Sequence, residues 1–554
     1  MNTISENFVL DALAEGVATP RSLQKLRHKY SKEFKIPVLL NIDLIKAYRS
    51  LIEREEIKIS PSFFALIQKR SVRTLSGIAP LSIFLKDEGC PGKCVFCPTE
   101  KNMPKSYLST EPGMLRAVLN NFDPFRQVHN RLRAFEATGH NIDKIELIVQ
   151  GGTFSAYSRP YQVSFLRSAF NAMNSYMEAR DAFILDDESK FKYAKFTNGE
   201  KHKLGLSGKI DDAKKLNETS KVRCIGLTLE TRPDWVNKKE LKRLRWLGAT
   251  RLEIGVQHTH NDVLIKNKRG HGRGHVIRAT KLMKDAGFKF TYHMMPGLMG
   301  STREKDRETL LEIFENPDFR PDQMKFYPCV VTDFSELTKL WKSGQYEPMQ
   351  DQDFIDLACD VLPHVPEWVR ISRVIRDIPA TDILAGTKTS NLRQVIEKEM
   401  KKRGLQCRDI RAREPRKLLV SGPHIAMKVE EYDASGGKEF FISFEDTKND
   451  MLLAFLRLRI PSQYFEKKRH FMKVLEGCAL VREIHTYGAM LEVGEESLGH
   501  VQHMGLGGQM IAKAEEICAQ FGLKKLAVIA GIGVREYFRD KGFTLKSEYM
   551  IKNI

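Results

Sequence analysis

From about residue 78 to 390, short apolar runs of strand length alternate with longer stretches whose apolar residues recur at helical spacing. Residues 145–149 (IELIV), 224–229 (CIGLTL), 251–256 (RLEIGV) and 288–293 (FKFTYH) read as strands. PDWVNKKELKRLRWLG and GHVIRATKLMKDAG read as helices between them. Repeated β–α units of this length predict parallel strands joined by right-handed crossovers, hence an open or closed barrel over 76–390. The lysine-rich stretch 178–222 reads as an excursion from it. Residues 1–75 read as a small basic helical domain. Residues 391–425 are strongly basic, show no evident apolar stripe, and read as a linker. From 426 the pattern turns to β structure (KVEEYDAS, GGKEFFISFED, LLAFLRLRIP, CALVREIHTYGAML). A Gly-rich turn, a helix at 508–520, the strand KKLAVIAG, a short helix at VREYFRDKG and a last strand SEYMIKN complete an α+β domain over 426–554.

Composition narrows the class. The 554 residues suffice for several domains, and 42% hydrophobic with 29% charged residues excludes wholesale disorder. No apolar run approaches the ~18 residues a membrane span needs. The amino terminus, MNTISENFVLDALAEG, lacks the basic start of a secretory signal, so a soluble cytoplasmic protein is expected. Lys and Arg number 89 against 70 Asp and Glu, a net +19 that favours a polyanionic partner, nucleic acid first.

Nine cysteines are too few and too scattered for a disulfide scaffold, yet Cys90, Cys94 and Cys97 fall within eight residues. Three thiolates on one tight loop can hold three irons of a cubane and leave the fourth open. A structural zinc site would need a fourth ligand nearby, and none is close in sequence. Strand ends carry further candidates: Gln150-Gly151-Gly152-Thr153 after IELIV, Glu230 and Arg232 in LTLETRP, and Gln257 after LEIGV. Barrel enzymes place chemistry at such carboxyl ends. This arrangement resembles the radical S-adenosylmethionine (SAM) enzymes, which implies a 4Fe-4S cluster on the three cysteines. It also implies SAM contacts from Gly151, Gly152, Glu230, Arg232 and Gln257.

In the last domain, Gln502-His503-Met504-Gly505-Leu506-Gly507-Gly508 leads into a helix, where backbone N–H groups can face a pyrophosphate. Q-x-x-G-x-G at this place resembles the acetyl-CoA loop of GNAT acetyltransferases. That likeness makes Tyr537 the candidate general acid for the CoA thiolate, with Phe538 beside it.

A radical-SAM partial (β/α) barrel followed by an α+β GNAT domain resembles the catalytic subunit of Elongator and its stand-alone bacterial and archaeal relatives. Long stretches carry the likeness, among them TEPGMLRAVLNNFDPFRQV, ENPDFRPDQMKFYP, RDIPATDILAG and GIGVREYFRDKGF. The short gap between Cys90 and Cys94 points to the bacterial or archaeal form. The resemblance implies a tRNA-modifying enzyme: a SAM-derived radical takes hydrogen from the methyl of acetyl-CoA, and the acetyl carbon joins carbon 5 of the wobble uridine to leave a carboxymethyl group. It implies acetyl-CoA contacts at Lys144, at Glu483, Ile484, His485 and Thr486, at Gln502 and Gly505, and at Leu506, Gly507 and Gly508. His485 and Tyr537 are the catalytic candidates. Phe538 stands where the family has a second tyrosine. A zinc site near the domain junction is also implied, with Cys329 and Cys407 as candidate thiolates. For the tRNA anticodon loop, Lys25 and Arg27, the KNKRGHGRGH segment with Lys266, Arg269 and Arg273, and the run 393–417 are candidate contacts. A monomer and a homodimer both stay open. Two other readings are a protein lysine acetyltransferase with a structural radical-SAM domain and a non-catalytic RNA-binding scaffold.

Overall fold

Four helices open the chain in the computed structural model, which describes residues 3–69, 77–88, 90–182, 204–415, 424–487 and 505–554. They are α1 (Ile4–Ala14), α2 (Pro20–Glu33), α3 (Asn41–Glu53) and α4 (Pro61–Ile67). Thr3 and Glu6 cap α1 reciprocally, which satisfies the first free N–H groups of the helix. Phe8, Leu26, Tyr48 and Ile67 belong to a core of this domain's own, and Arg49 Nη1 donates to Glu136 O at 3.0 Å to tie it to the next domain.

Seven parallel strands follow, in the order β1 (Ala79–Phe84), β2 (Lys144–Gln150), β3 (Arg223–Thr231), β4 (Arg251–Gln257), β5 (Lys289–Met294), β6 (Gln323–Phe326) and, past a two-residue β7 (Val331–Thr332), β8 (Arg370–Arg373). Every neighbouring pair is parallel, and β1 and β8 remain edges, so this is an open half-barrel. β7 pairs instead with β9 (Ile383–Ala385).

Two readings of the sequence need correction. The segment taken as linker from 391 begins with a helix, Leu392–Lys402, that buries Leu392, Ile396 and Met400 in the half-barrel core. Its apolar stripe is one residue wide at four-residue spacing, and the flanking Lys, Arg and Glu hide it. Within 178–222, residues 183–203 lie outside the described residues, but Ile210–Asn217 is a helix with Ile210 and Ala213 in the core.

The second sheet runs β10 (Ile425–Ala434), β11 (Gly437–Asp446), β12 (Met451–Ile460), β13 (Cys478–Thr486), β14 (Lys525–Val528), β16 (Tyr549–Asn553), β15 (Thr544–Lys546). Only β13 and β14 are parallel among its pairs, and the helix Leu506–Gln520 lies between them in sequence. This sheet packs on the amino-terminal ends of the half-barrel strands. Lys289, the first residue of β5, pairs with Glu483 at 2.7 Å, and Asp322, just before β6, pairs with Arg482 at 2.8 Å. Gly531 sits so tightly on Ile225 of β3 that any side chain there would collide with the Ile225 carbonyl. Among the described residues no helix is long and apolar enough to cross a membrane.

Candidate active site

The carboxyl-terminal ends of the half-barrel strands gather the first group of candidates. The loop after β1 carries Cys90, Cys94 and Cys97, all partly exposed and all lining one cavity. Donors converge on the sulfurs. Thr153 Oγ1 lies 3.1 Å from Cys90 Sγ, Gly92 N–H donates to Cys90 Sγ at 3.4 Å, and Arg269 Nη1 donates to Cys94 Sγ at 3.0 Å. Burial, and then the charges of Cys94 and Cys90, push the Cys97 thiol up to about 12. Bound cations would offset that rise and hold the Cys97 sulfur as a thiolate. This donor set therefore fits an iron–sulfur cluster held by three cysteines.

Gly151 and Gly152, at φ +127° and +94°, take the chain past the end of β2 with backbone that a side chain would strain. Arg232 is clamped by Asp234 at 2.9 Å and by the Arg269 carbonyl at 2.7 Å. Gln257 ends β4 at φ +70°, a strained conformation for a non-glycine residue, and its buried Oε1 has no partner among the described residues. Glu230 is open to the cavity but deep in the protein. Burial, with the Glu253 charge second, raises its pKa from 4.5 to about 7.

The half-barrel interior is polar where barrels are usually filled with branched apolar side chains. Glu146, Arg251, Glu253, His293, Gln323 and Lys325 line it. Glu253 pairs with Lys325 and accepts from His293 Nε2 at 2.8 Å. Burial opposes its charge, but the Lys325 ammonium outweighs it and holds the carboxyl well below the usual range. Glu230, Glu253 and His293 come within reach of one another, yet the Lys325 ammonium already neutralises the pair-forming carboxylate.

Because this interior stays open, one cavity of about 1850 Å³ runs from the cysteine loop through the half-barrel to Glu483, Ile484 and His485 on β13 of the second sheet. His485 packs on Tyr487 at 4.3 Å, and its Nε2 is buried without a partner among the described residues. Burial lowers its pKa to about 4, so at neutral pH it is an uncharged imidazole able to take a proton. Glu483 is held as a carboxylate, lowered to about 2 because Lys289 and Arg457 outweigh its burial. At the helix Leu506–Gln520, Gly505 caps the first turn at φ +68°. A side chain at Gly507 would meet the Tyr537 hydroxyl at 2.9 Å and Ile484 Cδ1 at 3.8 Å. The glycine turn, Ile484 and Tyr537 therefore converge, with Leu506 buried and Gly508 next in the turn, while Thr486 ends β13 two residues past Ile484.

Other candidates are placed elsewhere. Gln502 lies outside the described residues. Lys144 opens β2, half-buried, on the same strand face as Glu146, Ile148 and Gln150, which line the cavity. Tyr537 is 42% exposed and free to meet a ligand, whereas Phe538 is 2% exposed and packs in the core. Cys329 packs among Val95, Val331 and Leu337, and Cys407 against the half-barrel core, so the structure does not assemble them into a metal site. Burial pushes both thiols up to about 12, and among the described residues neither joins a cluster of three metal-ligating groups.

The expected RNA contacts also divide. Lys25 and Lys266 are exposed. Arg27 instead donates to Asn41 Oδ1 at 2.5 Å within its own domain. Arg273 pairs with Glu312 and lies 5.1 Å over the Phe319 ring. Arg269 is buried, bonded to Cys94 and to the Gly255 carbonyl, so its charge serves the cysteine loop. Nothing along the chain marks Lys325 or Glu253 as cavity residues, since charged side chains in a strand ordinarily face water.

Comparison with known proteins agrees with this geometry. The Radical SAM superfamily profile matches residues 87–313, and the Radical_SAM C-terminal domain profile matches 321–402. The chain is 41% identical over 517 residues to the tRNA uridine(34) acetyltransferase of Methanocaldococcus infernus, covering 90% of this chain and 89% of that one. It is 34% identical over 563 residues to Elongator complex protein 3 of Saccharomyces cerevisiae, covering 98% of this chain and 94% of the other. Its fold matches the solved structure of the archaeal M. infernus Elp3 lacking residues 1–46, with a TM-score of 0.72 at 39% identity, over 87% of this chain and all of that one.

Proposed function

Since the chain belongs to the radical SAM family of the tRNA uridine(34) acetyltransferases and the Elongator catalytic subunit, we propose that it joins an acetyl-CoA-derived two-carbon unit to carbon 5 of the tRNA wobble uridine, giving carboxymethyluridine. The observation that carries this reading is the continuity of the cavity between the cysteine loop and β13. A compact reactive group can pass between two sheets only where the interior is left open.

Cys90, Cys94 and Cys97 would hold the 4Fe-4S cluster, and Gly151, Gly152, Glu230, Arg232 and Gln257 would face SAM. Together, when bound, these groups supply the radical chemistry that an unactivated methyl requires and no side chain provides. The rest is done by the chain itself. The amino terminus of the helix Leu506–Gln520 offers free N–H groups and a positive dipole end to the CoA pyrophosphate. Neutral His485 can take the proton of a water that attacks the thioester, and the Tyr537 phenol can give one to the departing thiolate. The polar half-barrel interior receives a base turned out of the anticodon loop.

Thiol release from acetyl-CoA tests this reading against its rivals. Unmodified tRNA should stimulate release, and Tyr537→Phe should slow it by about 100-fold, the scale of one general acid. Release that ignores tRNA while lysines on protein become acetylated would favour a lysine acetyltransferase. Tight tRNA binding with no release would leave an RNA-binding scaffold.

Two further outcomes follow from the site. Arg269→Met removes a positive charge and a hydrogen bond from Cys94, so a reconstituted cluster should titrate at a more negative potential than in the unaltered chain, with Arg269→Lys between the two. EPR-monitored redox titration reads this directly, and equal potentials would refute it. Glu230 has a folded pKa above its ordinary value, so the stability it contributes is present at acid pH and is lost as pH rises from 4.5 through about 7. Glu230→Gln should therefore flatten the melting temperature against pH across that window; an unchanged profile would contradict it.

A further inference from the structure

The cavity wall at the β8 edge holds more positive charge than its own carboxylates balance. Arg370, Arg393 and Arg411 all line it. The segment after the helix Leu392–Lys402 runs alongside β8: Ile410 N–H donates to Val369 O at 2.9 Å, and Asp409 accepts from Ile371 N–H at 2.8 Å. Two guanidiniums are pinned to consecutive carbonyls of the strand. Arg393 Nη2 donates to Ile371 O at 2.7 Å and Arg411 Nη1 to Ser372 O at 2.9 Å.

Their counter-charges are uneven. Arg370 pairs with Glu414. Among the described residues Arg393 pairs only with Glu397, at 3.7 Å and half exposed. Arg411 makes no carboxylate ion pair among the described residues, although it is half-buried. Burial, then the like charges of Arg393 and Arg370, lower its pKa to about 10, which still leaves it a cation at neutral pH. A guanidinium has five N–H donors, and a single carbonyl leaves most of those on Arg411 unused. Two neighbouring cations with spare donors on a cavity wall form a receptor for a bidentate oxyanion.

We propose that Arg393 and Arg411 form a phosphate-binding site at the open edge of the half-barrel, taking a backbone phosphodiester of the RNA strand whose base enters the cavity. The proposal rests on the tRNA reading above and adds where the strand is gripped. A phosphate of CoA has the same chemistry. The RNA source is favoured because β1, the other free edge, also brings cations to the cavity, Arg116 and Arg131 among them, so both rims suit an extended polyanion.

The test measures binding of unmodified tRNA to the full chain across a salt series, with acetyl-CoA affinity measured by calorimetry on the same proteins. Each neutralised phosphate contact on a single strand adds roughly 0.7 to the slope of log affinity against log salt. Arg411→Gln and Arg393→Gln should each lower the slope by a measurable part of that one contact, the double variant by about 0.7, and all should leave acetyl-CoA affinity unchanged. Arg411→Lys, which keeps the charge, should keep the slope, and Lys524→Gln on the exposed far end of the second domain should change nothing. A slope equal to the unaltered chain in both glutamine variants overturns the proposal. So does a fall in acetyl-CoA affinity with the tRNA slope intact, which would assign the site to CoA. A slope lost equally in Arg411→Lys with a lowered melting temperature also overturns it, as a folding effect. Salt-dependent tRNA binding absent from the unaltered chain would instead defeat the tRNA reading itself.

Discussion

Cys94→Ala should abolish carboxymethyluridine formation while the chain stays folded and still binds tRNA and acetyl-CoA. Cys94 is one of three sulfurs on a loop whose donors, Arg269 among them, are arranged around thiolates. Without it the remaining two cysteines cannot hold a three-thiolate cluster. The side chain is only partly buried beside Val95 and Phe96, so its truncation removes little packing. Nucleoside mass spectrometry after anaerobic reaction reads the product, and iron analysis reads the cluster. Carboxymethyluridine formed by Cys94→Ala would mean that the chemistry does not depend on this loop.

Arg482→Met should destabilise the chain by about 3–5 kcal/mol, the scale of breaking a buried ion pair from one side. Arg482 is fully buried where β13 meets the half-barrel, donating to Asp322 at 2.8 Å and to Glu439 at 2.8 Å. Around it Arg459 binds Asp285 at 2.6 Å, Arg457 binds Glu483 at 2.8 Å, and Lys284 lies 3.7 Å from Glu439. Four cations thus face four carboxylates, and removal of Arg482 takes the closest partner from Asp322 and leaves one buried carboxylate unbalanced. The methionine fills the volume but neutralises nothing. Asp322 is held well below its usual range because Arg482 and its neighbours outweigh burial. Its contribution is therefore present at neutral pH and lost as pH falls below the ordinary carboxylate range. Denaturant unfolding measures the loss, and a midpoint equal to that of the unaltered chain would show that the network does not hold the sheets together.

The β/α alternation and the cysteine triplet were readable because both are local: apolar runs of strand length have a short period, and three ligands fit in one loop. The glycine turn before the helix Leu506–Gln520 was readable for the same reason. What tertiary contact decides was not. RLEIGVQ buries Arg251 and Glu253 toward a polar interior, a pattern identical in sequence to one facing solvent. Arg269 sits in a basic run that looks like an RNA-binding surface, and only the folded loop shows that its charge is spent on Cys94. The cysteines at 329 and 407 looked pairable because sequence carries no distances. The docking of the second sheet on the amino-terminal ends of the strands, which joins two sites through the barrel rather than across an external cleft, depends on Gly531 and the buried ion pairs. Neither has a signature along the chain.

In the proposed reaction the acetyl methyl, carried on the second domain, reaches the radical site through the half-barrel. Anaerobic turnover with unmodified tRNA, SAM and acetyl-CoA bearing three deuteriums on its methyl tests it most directly, by the mass of the 5′-deoxyadenosine released. The expected product is 5′-deoxyadenosine one deuterium heavier than normal, formed together with carboxymethyluridine and absent with Cys94→Ala. Carboxymethyluridine accompanied by unlabelled 5′-deoxyadenosine would contradict it.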